Sequence, residues 1–335
     1  MTLIKMTTIS LCMITKNEEQ FLEQCLNSVK EVVNEIIIVD TGSTDKTKEI
    51  ARKFTDKIYD FEWCDDFSAA RNESLKHATK DWILILDADE QLDSESIINL
   101  KKSIQNNDAE AYSLPQLHYT NKFTNHPEYI GIEHPKFKGF YVTSVIRLFR
   151  KSPKIYFEHC VHETIRFRLA KENKKIIDLI TVPIHHYQEL KGVEDVEKKQ
   201  QFYFRLSLNN IKKYPNYAKS YNDVAVYYST YNNDQETALK YCKKAVELEP
   251  ENIAFILNLS YRLRDLERHS QAIELLKEAL KKNQDERIYR DLGYNYYRTK
   301  QHSLAIDAYQ QAINLNSPLK DRLLNYINLI KLEMS

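Results

Sequence analysis

The chain has 335 residues, with 48 Lys+Arg against 48 Asp+Glu and a formal charge of zero. That balance gives no global pull toward nucleic acid or an anionic membrane, and the length favours two domains over one. Five scattered cysteines without a CxxC pair, and five glycines that spell neither GxGxxG nor GxxxxGKS/T, argue against a disulfide framework, a zinc site, a dinucleotide cradle and a P-loop.

The N-terminal stretch MTLIKMTTISLCMITKNEE is too short and too interrupted for a signal peptide or a membrane span. No later segment spans a bilayer, so a cytoplasmic protein is expected. ISLCMI (9–14) reads as a strand and EEQFLEQCLNSVK (18–30) as an amphipathic helix. EIIIVD (35–40) is a second strand, followed by a helix capped by Thr44 or Asp45. KIYDF (57–61), DFSAARNESLKHA (66–78) and WILIL (82–86) continue as strand, helix and strand. Strands alternating with helices of this length predict a parallel sheet, which binds its ligand outside the carboxyl ends of its strands. Asp40 and Asp87 end two of those strands and should face one crevice. Beyond residue 92, RLFRKSPKIYFEHCVHETI (147–165) reads as strands around a Ser-Pro turn, and VPIHHY (182–187) as a short strand.

From Gly192 onward the pattern is helical and it repeats. Ala238, Ala272 and Ala305 recur at steps of 34 and 33, as do Ala245, Ala279 and Ala312. Small residues at that period, with aromatics one turn away, resemble the tetratricopeptide repeat. Three repeats (218–252, 253–285 and 286–318) and a capping helix (319–333) are expected, which is enough for a stacked solenoid to stand. The domain reading is 1–192, a helical linker 193–217, and a repeat domain 218–335.

The chemistry is concentrated in WILILDADEQL (82–92), where a buried strand runs into Asp87, Asp89 and Glu90. Carboxylates this close repel one another and resist desolvation, so something positive must meet them. A pair at spacing i, i+2 is a hard-oxygen site suited to Mg²⁺ or Mn²⁺, which would also bind a diphosphate in place of the absent Gly-rich loop. The alternative is a helix N-terminus, with Asp93 or Ser94 as cap and the other acids solvated.

TKNEE (15–19), IIIVDTGSTDKT (36–47), DFSAARN (66–72) and ILDADE (85–90), in that order, resemble the family 2 glycosyltransferases. That resemblance implies a GT-A fold, an open and mostly parallel Rossmann-like sheet, and a UDP-sugar donor. It implies that Thr15 and Glu18 lie by the uracil, that Asp40 binds the uracil or ribose with Ser43 nearby, and that Arg71 contacts the nucleotide. Asp87 then serves the ribose or a metal-bound water, beside Ala88, and Asp89 holds the metal in a DxD motif. RLFRKSPKIYFEHCVHE further resembles a branch of lipopolysaccharide-core β-glucosyltransferases and of peptide S-glycosyltransferases that modify bacteriocins such as sublancin. A His-Glu pair follows this strand there, matching His162 and Glu163. An inverting transfer needs a general base, and Glu163 is the candidate, with a structural carboxylate holding His162 as the alternative and Glu158 as a rival. The branch also carries a histidine at VPIHHYQ, so His186 or His185 completes the metal shell.

The sequence therefore predicts a metal-dependent, inverting hexosyltransferase, by family habit using UDP-glucose, with Mg²⁺ or Mn²⁺. The Tyr-rich repeats favour a peptide or protein acceptor modified on Cys or Ser, or a homodimer through the repeat domain; neither nucleic acid nor an integral membrane segment is expected. A cell-envelope saccharide or lipid-linked acceptor is the second enzymatic reading, and a non-catalytic repeat scaffold is the reading from another class.

Overall fold

The computed structural model describes residues 7–106, 108–121, 129–187 and 196–334. The chain divides into two compact units, Met1–Lys199 and Gln200–Ser335. The expected boundary at residue 192 lies outside the described residues.

In the first unit, β1 (Ile9–Thr15), β2 (Glu35–Asp40), β3 (Ile58–Asp60) and β4 (Trp82–Ile85) form a parallel array in the order 3-2-1-4. Alternation sorts their side chains onto two faces. Ile9, Leu11, Met13, Ile38, Trp82 and Leu84 pack with α1 (Leu22–Val29), α2 (Thr47–Ala51) and α4 (Ser94–Ser103). Cys12, Ile37, Ile83 and Ile85 face the opposite way, toward Leu75 of α3 (Phe67–His77) and Leu169 of α5 (Arg166–Lys171). Asp66 caps α3 by accepting from Ala69 N at 3.0 Å, and Asp45 accepts from Thr47 N at 2.9 Å at the start of α2. Helix α1 starts later than the sequence predicts. Glu18 O accepts from both Phe21 N and Leu22 N, so residues 18–21 form a turn.

The other half of the sheet is mixed. β6 (Ala111–Thr120) and β8 (Gly139–Arg150) form a long antiparallel pair, and β8 joins antiparallel to β4. β7 (Tyr129–Gly131) pairs with β8, and β9 (Ile176–Asp178) pairs with β6. β10 (Ile184–His186) lies parallel to β6, and β5 (Glu90–Gln91) closes antiparallel onto β10. The N-terminal fold is thus a mostly parallel sheet with antiparallel additions, of the GT-A kind.

The second strand predicted after the Ser-Pro turn does not form. β8 ends at Arg150, and residues 155–165 are a loop held by one bridge, Glu158 to Thr164. His159 and His162 sit at φ 80° and 55°, conformations no strand contains. Asn72 pins the loop to α3 at both ends of its amide, donating to Phe157 O at 2.8 Å and accepting from Phe157 N at 2.7 Å.

After α6 (Val196–Lys213), three helix pairs follow: α7 (Ala218–Tyr231) with α8 (Gln235–Leu248), α9 (Ile253–Asp265) with α10 (His269–Leu280), and α11 (Glu286–Arg298) with α12 (His302–Asn314). α13 (Lys320–Met334) caps the stack. Ala238, Ala272 and Ala305 are fully buried where the helices of a pair approach. Asp234, Asn252 and Asp285 cap three of these helices with their side chains. Among the described residues no helix is long and apolar enough to cross a membrane.

Candidate active site

Two loops follow the parallel strands and are stitched to each other. Asp40, at the end of β2, accepts from Gly42 N at 3.1 Å and Ser43 N at 2.8 Å, with Thr15 Oγ1 at 3.4 Å. Gly42 sits at φ 103°, a conformation that side-chain-bearing residues rarely adopt. Ser43 Oγ accepts from Asn17 N at 2.9 Å, Asn17 Oδ1 from Thr44 N at 2.8 Å, and Thr47 Oγ1 from Glu18 N at 2.7 Å. Thr15, Glu18, Asp40 and Ser43 therefore share one rim at the carboxyl edge of β1 and β2.

Of Asp87, Asp89 and Glu90 after β4, only Asp87 keeps partial exposure to solvent. Asp93 does cap α4, accepting from Ser96 N at 2.7 Å, but Asp89 and Glu90 are buried at 5% and 0% exposure. What meets them is a pair of arginines. Arg71, on α3, donates from Nη2 to Asp87 at 2.5 Å and from Nε to Glu163 at 3.1 Å. Arg147, on β8, donates from Nη2 to Asp87 at 2.8 Å and to Glu90 at 2.9 Å. Burial works to raise Asp87, but the guanidiniums of Arg147 and Arg71 outweigh it and hold the carboxyl far below its ordinary range. Glu90 goes the other way. Its burial dominates, helped by the charge of Asp87, and lifts it above the usual carboxylate value. Arg71 Nη1 and Arg147 Nε are buried without a hydrogen-bond partner. Buried guanidinium N–H groups are rarely left so, and they suit an anionic acceptor.

Strand register supplies the rest. Antiparallel pairing sets His186 opposite Glu90, and parallel pairing sets His186 beside His118. His186 Nε2 stands 3.3 Å from Asp89 Oδ2, whereas His185 Nε2 reaches Asp93 at 3.1 Å and its Nδ1 meets the Tyr119 hydroxyl at 2.8 Å. Burial pulls His186 down, yet its hydrogen bond to Asp89 and the charges of Asp89, Glu90 and Asp87 raise it overall. Glu163 joins the cluster through Arg71; His162, next to it, is exposed. Ala88 is buried between the two aspartates.

Arg147, Gln116, His118 and Thr143 belong to this site although the sequence reading did not single them out. Gln116 Nε2 donates to Glu90, and Thr143 and His118 extend the chain toward His186. The usable signal was the need for positive charge near three acids, which RLFR could have met.

Asp89 and His186 fit one edge of a hard-cation shell. Donors about 2.1 Å from an octahedral ion and at right angles stand about 3 Å apart, close to the spacing seen. Among the described residues no three His, Cys, Asp or Glu side chains group to hold a metal. Mg²⁺ is commonly held by one or two carboxylates, with waters and substrate phosphates in its other positions; Asp89 meets that need, and the His186 nitrogen favours a transition-metal ion such as Mn²⁺.

Residues 10–173 match Glycosyl transferase family 2. This segment is a family 2 glycosyltransferase domain. Residues 232–293 and 286–318 match tetratricopeptide repeats, so the domain is followed by repeats of that kind. Among curated proteins, a TPR repeat-containing protein of Synechococcus elongatus is 36% identical over 187 residues, 54% of this chain and 42% of that protein. The SPbeta prophage-derived glycosyltransferase SunS of Bacillus subtilis is 27% identical over 290 residues, 85% of this chain and 56% of that protein. The chain thus spans about half the length of these curated relatives. A solved structure, S. aureus TarS 1–349, aligns at TM-score 0.46 and 16% identity, over 80% of this chain and 88% of that one.

Proposed function

We propose that the protein transfers a hexose from a UDP-sugar, with inversion, to a side chain of a peptide or protein. The observation that carries the reading is the largely buried cluster Asp87–Arg71–Arg147–Asp89–His186, open to solvent at Asp87, beyond the parallel strands of a family 2 domain, with guanidinium N–H groups left over for an anion.

Each residue has a chemical role in this reading. The rim of Thr15, Glu18, Asp40 and Ser43 takes the uridine, since carboxylates and hydroxyls match its N–H and hydroxyl edges. Arg71 keeps its ion pair with Asp87 and turns its remaining N–H groups on the diphosphate. Asp89 and His186 would hold Mg²⁺ or Mn²⁺, which when bound supplies positive charge against the leaving diphosphate. Glu163 takes the proton from the acceptor's thiol or hydroxyl as that atom attacks the anomeric carbon from the face opposite the diphosphate. Arg71 orients the Glu163 carboxylate for this step. The repeats bind the acceptor chain and bring it to the site, contributing proximity.

A panel of UDP-hexoses, assayed for UDP release without acceptor, tests the donor half of the reading. One hexose should be consumed in a chelator-sensitive way, and no consumption of any of them would overturn it.

A further inference from the structure

The side chains linking Glu90 to His186 form a relay whose direction can be worked out. Gln116 Nε2 donates to the Glu90 carboxylate, which turns Gln116 Oε1 toward Thr143. Thr143 Oγ1 donates to Gln116 Oε1 at 3.4 Å, so its oxygen is left to accept from His118 Nε2, 2.7 Å away. With its proton on Nε2, neutral His118 presents a lone pair at Nδ1. His186 Nδ1 lies 2.9 Å from that atom and must donate to it. Nδ1 of His186 thereby keeps its proton, so when a cation displaces the Nε2 proton that bridges to Asp89 Oδ2 at 3.3 Å, it is the Nε2 lone pair that faces that carboxylate. A lone pair set against a carboxylate is repulsive unless a cation stands with them.

Strand register builds the relay. Gln116 lies opposite Thr143, His118 lies beside His186 on β10, and His186 lies opposite Glu90 on β5. His118 is further held by stacking on Tyr141, with ring centroids 4.6 Å apart. The direction originates at Glu90, which Arg147 and the backbone N–H of Asp87 hold in place as an acceptor.

We infer that Gln116, Thr143 and His118 are positioning residues that impose the Nδ1–H tautomer on His186, so that Asp89 and His186 together present a divalent-cation site. The inference rests on the proposed metal role of that pair and adds the residues that set it. Metal-ligating histidines commonly depend on such a partner at the far nitrogen, and its loss weakens metal binding about 10–100-fold.

The test uses Mn²⁺ affinity, read by electron paramagnetic resonance of free Mn²⁺ on the full chain with saturating UDP. Thr143→Val keeps the shape but can neither donate nor accept, and should weaken Mn²⁺ binding about 10-fold or more. Thr143→Ser should bind like the wild type. His118→Asn, whose amide oxygen can replace Nδ1 as acceptor, should bind more tightly than His118→Leu. If the wild type binds Mn²⁺ and Thr143→Val binds it equally well, the relay is overturned while the metal reading stands. If the wild type binds none, the metal reading falls and the inference with it. Should the variants misfold, the wild type decides alone. Long-range ¹H–¹⁵N correlation of the Mg²⁺–UDP complex should show His186 as the Nδ1–H tautomer, and an Nε2–H tautomer or an imidazolium overturns the relay.

Discussion

The two units distribute charge differently, although the repeats also bury an acid, Asp291, beside Arg264. In the first, Glu90 and Arg71 are withdrawn from water and meet the partly exposed Asp87 and Arg147 beyond β4, coming from elements far apart in sequence. In the repeats many ion pairs lie one helical turn apart on the surface, as in Lys244–Glu247, Arg262–Asp265 and Lys281–Glu278. Buried charges cost several kcal/mol each to desolvate and tolerate no lost partner, whereas exposed pairs contribute about 0–1 kcal/mol. A protein keeps the first kind of arrangement where a ligand's charge must be met. The repeats stand instead on apolar and small-residue packing, with Ala245, Ala272 and Ala312 fully buried.

Breaking the first arrangement should have the largest effects. Glu163→Gln retains the shape and the contact with Arg71 but cannot take a proton, so kcat should fall about 10²–10⁴-fold. UDP affinity, measured by calorimetry, should change little; a strong loss of affinity with normal turnover would make Glu163 a binding residue instead. Arg147→Met removes the partner that the buried Glu90 shares with the partly exposed Asp87, and should cost about 3–5 kcal/mol of unfolding free energy in urea titration. A cost below about 1 kcal/mol would mean that Asp87 and Glu90 are not held by it.

Glu35 offers a version of the same contrast that pH resolves. Burial opposes its charge, but hydrogen bonds from Lys57, Ser10 and Thr79 outweigh this and lower it to about 2. Its folded value lies below its unfolded one. The stability it contributes is therefore full above the unfolded carboxylate range and is lost as pH falls toward 2. Glu35→Gln should unfold more easily than the wild type at neutral pH, and the difference should shrink between about pH 4.5 and 2. A gap that stays constant over that range would show that the charge is not responsible.

In the repeats the sensitive position is one of packing. A Cβ on Gly293 would come within 2.6 Å of the Tyr309 ring, so Gly293→Ala should destabilise by about 1–2 kcal/mol despite the better helix former. At the bottom of the range, Lys281→Ala breaks an exposed pair with Glu278 and should leave the melting curve unchanged within error. Melting curves of both variants check this order.

What could be read in advance follows the same division. The repeat helices were legible because their signals are local: alanines at a fixed period, with aromatics one turn away. β1, β2 and β4 were legible as apolar runs, and Asp40 and Asp87 at their ends marked the ligand edge. Arg147, Gln116, His118 and Thr143 were not, because alternate polar residues on a strand look like a solvated face. The site on that face is completed only when β10, arriving some seventy residues after β6, pairs edge to edge with it and sets His186 beside His118, and register across such a separation is not encoded locally. The same pairing separates two adjacent histidines, sending His186 to Asp89 and His185 to Asp93. The loop after β8 was misread because apolar residues in KIYFEHCV suggested a strand. Its histidines at positive φ instead turn the chain so that Glu163 meets Arg71.

Calorimetric titration of UDP in the presence of Mn²⁺, into the wild type and into Asp89→Ala, tests the central claim most directly. If the buried acids and arginines form a metal-assisted nucleotide-sugar site, the wild type should bind UDP saturably and chelator should weaken it. Asp89→Ala should lose most of that affinity while keeping its fold, as judged by its melting curve. Equal UDP binding by both proteins, with and without chelator, would contradict the account.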